Sequence, residues 1–276
     1  MFRFAKWLSC AALLAGAFLI GAPQTAHATL TLEIYEDIGG TIKNVTSSAM
    51  IGPPTTNGGI TTMSFMLSDA NFQFSGGFAE TNNPGDPLTN SNITLNNTTL
   101  KYFGTASSGS LIFAVSDTGF QFNSGTPTNL SSSATLNVTG GSPSSPVTDN
   151  LTFQSYADAN NNLFGVTTSG ISTDYSGLQG GLVSSSGAFS TGEQNLSATA
   201  KGLTGTDAST LVTSGNLGVP FSLTSVAVLT LENGATATIT GTNAVAVPEP
   251  ASMMAAFTAL PFLGLSAWLR RRKQAV

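Results

Sequence analysis

"SVAVLTLENGATATITGT" (225–242) is the stretch that decides the fold class. Asn233-Gly234 sits between two runs rich in Val, Leu, Ile and Thr. Such residues pack well on a pleated surface, and Asn-Gly tolerates the positive φ angles of a two-residue turn. The pattern predicts two strands joined as a hairpin. Outward from it, the same grammar repeats. "TLTLEIYED" (29–37) alternates Leu30, Leu32 and Ile34 with Thr31, Glu33 and Tyr35, which reads as a half-buried strand. Further strands are expected at 60–67, 98–103, 110–115, 134–138, 150–156 and 195–200. Many short strands divided by Gly, Asn and Pro point to an antiparallel β-sandwich or jelly roll.

Composition agrees. Charged residues make up 8% of the chain, against about 25% in an average soluble protein. Residues 29–247 hold three basic side chains (Lys43, Lys101 and Lys201) and thirteen acidic ones, with no Arg and no Trp. Ser, Thr, Asn and Gly take the surface positions, so little is left to build solvated helix faces. An acidic chain without Arg is a poor match for nucleic acid, where neutralising phosphates dominates affinity.

Residues 1–28 read as a signal peptide. Arg3 and Lys6 precede an uncharged run, and Ala26-His27-Ala28 gives a small-x-small cleavage pattern ending at Ala28. The one Cys (Cys10) and the one His (His27) lie inside this segment. Without it, the chain has no means of forming a disulfide, a Ser-His-Asp triad or a His-ligated metal site. No cofactor and no metal are expected.

An internal echo links "FMLSDANFQFSGG" (65–77) to "FAVSDTGFQFNSG" (113–125). Phe65, Asp69, Phe72 and Phe74 correspond to Phe113, Asp117, Phe120 and Phe122. We read a strand-turn-strand unit used twice, with core Phe and turn Asp. The functional alternative is an aromatic platform for a sugar.

Three other patterns could carry chemistry. Glycoside hydrolysis needs two carboxyls, and Glu33, Glu36, Asp37, Asp69, Asp117, Glu193 and Glu232 are available, though none forms a recognisable pair. "DANNNLFG" (158–165) places Asp158, Asn160 and Asn162 like the start of a calcium loop. Leu163 replaces the expected Gly, and Ser169 the expected acid, so a polar turn is the better reading. Finally, 251–269 is uncharged and mainly apolar, at about 1.5 Å per helical residue long enough for a bilayer core, and Arg270, Arg271, Arg272 and Lys273 follow it.

Pro248-Glu249-Pro250, the apolar span and the basic stop together resemble the PEP-CTERM sorting signal of exported bacterial proteins. The resemblance covers the last thirty or so residues. It implies processing at the Pro-Glu-Pro by an exosortase-type enzyme, a transient inner-membrane anchor, and a Gram-negative host that makes exopolysaccharide. "GSLIFAVSDTGFQF", "ADANNNLFG" and "PFSLTSVAVLTLENGATATITGT" are more loosely similar to a group of all-β PEP-CTERM proteins.

The expectation is therefore a signal peptide (1–28), an all-β extracytoplasmic domain (29–247) and a sorting signal (248–276). The fold is an all-β sandwich or jelly roll flanked by an N-terminal signal helix and a C-terminal transmembrane helix. The expected function is non-enzymatic: a structural protein of exopolysaccharide or biofilm, at the cell surface or secreted. The alternatives are a carbohydrate-binding adhesin and an acid-pair hydrolase.

Overall fold

The structure, a computed structural model, describes residues 30–83, 90–121, 128–141, 149–166, 182–184, 188–191, 194–198, 204–213, 217 and 220–246. The strands run in chain order. The first six are β1 (Thr31–Ile38), β2 (Thr41–Asn44), β3 (Met50–Ile51), β4 (Thr55–Asn57), β5 (Ile60–Ser68) and β6 (Phe72–Thr81). Four long ones follow: β7 (Asn90–Tyr102), β8 (Ser108–Phe120), β9 (Thr128–Gly140) and β10 (Asp149–Asp158). Then come β11 (Gly165–Val166), β12 (Val183–Ser184), β13 (Ala188–Ser190) and β14 (Gln194–Ala198). The last three are β15 (Thr204–Thr213), β16 (Phe221–Glu232) and β17 (Ala235–Ala246).

Two antiparallel sheets pack face to face. One has seven strands in the order β13-β10-β16-β8-β1-β2, with β14 also on β10. The other has eight, β15-β9-β17-β7-β6-β5-β3, with β4 also on β5. The alternation read from the sequence sets which side chains meet between them. Leu32, Ile34, Phe113 and Phe153 from the first sheet join Phe65, Phe74, Leu100 and Ile239 from the second in one buried cluster. Phe74 lies edge-on to Phe65 at 5.4 Å and to Phe113 at 5.5 Å, the offset geometry that aromatic quadrupoles favour.

The two echo segments face each other across this core. Phe65 and Phe113 are 5.9 Å apart. Only the first copy turns, however. Asp69 caps the β5–β6 hairpin by accepting the N–H groups of Asn71 and Phe72, each at 2.8 Å. In the second copy Asp117 lies buried within β8, which continues to Phe120. Strand pairing on both sides of β8 overrides the local turn preference there.

The Asn233-Gly234 turn is also not a hairpin. β16 pairs with β10 and β8, and β17 pairs with β7 and β9, so the turn carries the chain from one sheet to the other. Its donors are satisfied by neighbouring connections instead. Asn233 N–H donates to the carbonyl of Ser107 at 3.1 Å, and its Nδ2 to that of Gly104 at 2.7 Å. Gly234, at φ +82°, donates to Tyr102 at 3.0 Å. Both runs are apolar enough to be central strands, and each finds its two partners within its own sheet.

The two sheets differ on their outer faces. β8 and β16 are buried almost throughout. Outside the seven-stranded sheet a second cluster forms from Tyr35, Ile112, Tyr156, Val166, Val226 and Val228. The small β11–β12 pair belongs to this cover. The eight-stranded sheet keeps strict alternation on β5 and β17, and its outer face stays open among the described residues.

The flanking helices require a correction. The one helical element among the described residues is a single 3-10 turn, Thr46–Ser48. No helix there is long and apolar enough to cross a membrane. Strand β16, buried at nearly every position, has twelve residues, short of the roughly 20 a spanning helix needs, and it is consumed by the sheet. The expected signal helix, with its cleavage site at Ala28, and the expected transmembrane helix both fall outside the described residues. The architecture is a two-sheet sandwich. The transmembrane segment, the inner-membrane anchoring and the localisation derived from them have no helix in this structure to support them.

Candidate ligand-binding face

The open face is built by register. Directly opposed residues in an antiparallel pair point to the same side. Ser64, Phe78, Asn96, Thr240 and Thr135 stand opposite one another on β5, β6, β7, β17 and β9. They form one row across five strands, and none of the five side chains is buried. The hydroxyls of Thr135 and Thr240 hydrogen-bond to each other. The next row towards one end is Thr62, Glu80, Thr94, Thr242 and Ser133. Towards the other end, Ser68, Gln73, Lys101, Thr236 and Thr139 align.

Phe78 is the ring within the row. Its neighbours in the strand, Gly77 and Ala79, are buried, and Phe78 itself is half-buried on the outer side. Two irregularities lie beside it. The β5–β6 register shifts between Phe65 and Leu67, with Gly76 at φ +75°, and the β7–β17 register shifts between Ala237 and Ile239. Bulges bend a sheet and re-aim side chains, and they concentrate beside functional surfaces. At one edge of the face, Met50 and Met66 are exposed. With Ser48, Ser68, Gln73 and Ser75 they line a shallow depression of about 310 Å³. Phe103, 40% exposed, follows Lys101 at the end of β7.

The charges of the face are sparse and opposed. Glu80 accepts the hydroxyl of Thr62 at 3.3 Å, and Lys101 lies beyond the Phe78 row on the other side. The row itself is uncharged. It offers hydroxyls, one amide and one ring, which is donor and acceptor chemistry for a polar, uncharged partner.

The residues singled out from sequence fall elsewhere. Glu36 and Asp69 do come together, at one end of the sandwich interior. Glu36 is 4% exposed. Burial first, then a hydrogen bond and charge repulsion from Asp69, push its carboxyl up to about 7. Burial works against the charge of Asp69. The hydrogen bond from Glu36 and the two backbone N–H groups outweigh it and hold Asp69 below its ordinary value. Glu36 lies buried near the β5–β6 turn, where Asn71 Nδ2 donates to its Oε2 at 3.3 Å, so this carboxyl is not presented to a sugar bond and a water as hydrolysis requires.

Glu232 and Asp149 form a second contact, through the N–H of Glu232 on Asp149 Oδ1 at 2.7 Å. Burial raises the Asp149 pKa, opposed by that hydrogen bond and reinforced by the Glu232 charge. Glu33 accepts the phenol of Tyr35, and Asp37 caps Gly40 at 2.9 Å. Glu193 lies outside the described residues, as do Pro248, Glu249, Pro250, Arg270, Arg271, Arg272 and Lys273.

The 158–165 segment is a stitched turn. Asp158 is fully buried and accepts Asn160 N–H at 2.9 Å and Asn162 Nδ2 at 2.8 Å. Asn161, at φ +56°, accepts Gly119 N–H at 2.8 Å. The carboxylate oxygens that a cation would need face protein donors. Among the described residues no cluster of His, Cys, Asp and Glu could hold a metal ion.

Phe78 carries no signal of its own in the sequence beside the repeated Phe-Gln-Phe. In that repeat Phe72 and Phe74 point inward. The extra residue at Ser75-Gly76, opposite Met66, is what turns Phe78 outward.

No protein-family model matches this chain, and no curated protein matches it. Two solved structures resemble it. One is a carbohydrate-binding module in complex with β-1,4-galactotriose: 8% identity, TM-score 0.24, covering 72% of this chain and 88% of that one. The other belongs to a study of promiscuous specificity in carbohydrate-binding modules of the β-sandwich superfamily: 11% identity, TM-score 0.26, covering 77% and 84%. At these values the likeness carries no argument about ligand, which rests on the face itself. Nothing in the structure or the comparisons supports the expected exosortase partner, exopolysaccharide contact or structural role. The expected structural role is set aside, because the outer face of the eight-stranded sheet is open and its rows differ in chemistry.

Proposed function

We propose that this chain is a non-catalytic carbohydrate-binding β-sandwich, of the kind that serves as an adhesin. One observation carries the reading: the half-buried ring of Phe78 lies in register with the polar groups of Ser64, Asn96, Thr240 and Thr135 on an open sheet face. A sugar presents an apolar C–H face and a rim of hydroxyls. The ring can take the first by stacking, and the amide and hydroxyls can take the second. The scarcity of charge supports a hydroxyl-rich ligand over an ionic one.

The test is retardation of the folded protein in native gels containing neutral polysaccharides, alongside the Phe78→Ala variant. Retardation that is lost in the variant supports the reading. Migration unchanged in every polysaccharide removes it.

The resemblance of Pro248-Glu249-Pro250 to a PEP-CTERM signal is a separate proposal from sequence alone. The intact mass of protein purified from its host should show a chain ending near these residues. A full-length C-terminus would sink it.

A further inference from the structure

We infer that a structural water binds between the two sheets, held by Ser155, Ser225 and Asn243. The site lies inside the sandwich, away from the open face, and is independent of the carbohydrate reading.

Register brings the three together. Ser155 on β10 and Ser225 on β16 are directly opposed, and they share the inward side of their strands with the core residues Phe153 and Ala227. On the other sheet, Asn243 on β17 is opposed to Ser132 on β9, on the inward side with Val245 and Leu130. Two contacts tie these pairs across the core. Asn243 Nδ2 donates to the carbonyls of Tyr156 at 3.2 Å and Thr224 at 3.0 Å, the register pair next to Ser155 and Ser225. Ser132 Oγ donates to Thr191 Oγ1 at 3.1 Å, and the same Thr191 oxygen accepts the Ser155 N–H at 3.2 Å.

This knot leaves three oxygens over. Ser155 Oγ, Ser225 Oγ and Asn243 Oδ1 meet no hydrogen-bond partner among the described residues, and their side chains belong to residues at most 1% exposed. Burying one polar group without a partner is costly, and here three share one place. A single water answers all of them. It accepts from the two hydroxyls and donates to the amide oxygen, about the three bonds that a buried water makes. Room for it follows from side-chain size. Facing sheets lie about 10 Å apart, and three of the four side chains that meet here are serines. The donor set also selects water over a cation. Its oxygens are neutral and no carboxylate belongs to it, so an ion would be buried without a counter-charge.

Crystallography of the intact protein reads the site directly. A solvent peak within hydrogen-bond distance of Ser155 Oγ, Ser225 Oγ and Asn243 Oδ1 supports the inference. Hydroxyls turned onto protein carbonyls, with no solvent between them, overturn it. Urea titration adds a test of sign. With the water bound, Ser155→Ala and Ser225→Ala each remove a bond to it and should lower the folding equilibrium constant about tenfold. The double variant should lose less than the two single losses combined, because both hydroxyls serve one water. An unpartnered hydroxyl has the opposite effect: removing it raises the folding constant. A raised constant in either variant, or strictly additive losses, overturns the inference. Melting curves in sodium, potassium and choline chloride should coincide. Stabilisation by one cation alone would give the site to an ion and overturn the water.

Discussion

Asn71 donates from Nδ2 to Glu36 Oε2 at 3.3 Å, joining the turn of one sheet to a strand of the other. Asp69, two residues before Asn71, is the carboxylate whose charge, after burial, raises the Glu36 pKa. Lys43 is the nearby cation and eases the charge on both carboxyls, and the Tyr102 phenol is raised in turn by burial and by the Glu36 charge. The pair is therefore a pH-dependent tie. The pKa of Glu36 is raised in the fold, so its stabilisation is complete below the unfolded value near 4.5. It is lost as pH rises through about 7. Asp69 is lowered, so its contribution is present above its ordinary value of 3.8 and lost as pH falls below that. Stability should peak between the two. The unfolding free energy from urea titrations followed by circular dichroism should fall from pH 5.5 to pH 8, by about 1 kcal/mol at most given partial screening, and the midpoint with it. In Glu36→Gln the amide can still donate to Asp69, and this decline should flatten. A wild-type midpoint that rises over the same range contradicts the assignment.

Phe78 and Phe113 separate binding from folding. Phe113 is fully buried between Phe65 and Phe74. Phe113→Ala should cost about 3–5 kcal/mol, because a large cavity opens at the centre of the core. Phe78 lies on the outer face, so Phe78→Ala should cost about 1 kcal/mol or less. Polysaccharide retardation should nonetheless fall at least tenfold. A thermal melt and a native gel on the two variants check both halves. Equal destabilisation would mean that Phe78 is a core residue.

Asp158 tests the polar-turn reading. Its carboxylate satisfies the Asn160 and Asn162 donors inside the fold. Asp158→Ala removes a buried acceptor that these part-buried donors share, at a cost of about 1–3 kcal/mol. Added calcium should not move the melting temperature of the wild type. A calcium-dependent rise would restore the loop as an ion site.

Much of the sandwich was legible because alternation is a local property. Leu32 and Ile34 on β1 and the Thr-Ile-Thr pattern of β17 announce their faces from sequence. Partner choice is not local. Asn233-Gly234 and the two Ser-Asp segments carry turn chemistry, yet one turn changes sheets and one segment stays straight. What decides is whether each flanking strand already has two neighbours, and that depends on residues a hundred positions away. The binding face was illegible for the same reason. Phe78, Asn96, Thr240 and Thr135 become neighbours only through register.

The sheet-crossing turn makes a last prediction, by comparing two glycines. Gly234 has φ +82°, and a Cβ there would meet nothing within 4 Å. Gly234→Ala therefore carries only the backbone cost of that conformation, about 1–2 kcal/mol. Gly241 lies seven residues on, where β17 passes the Phe153 ring of the opposite sheet. A Cβ there would come within 2.3 Å of that ring. The fully buried ring has no free space to move into, so Gly241→Ala must push the sheets apart or strain a rotamer. It should be the more damaging change, by at least 1 kcal/mol, and Phe153→Leu should partly rescue it. Chemical denaturation of the two variants and the double mutant measures the order. If Gly234→Ala proves worse, the turn is held more tightly than its backbone angle and open surroundings imply.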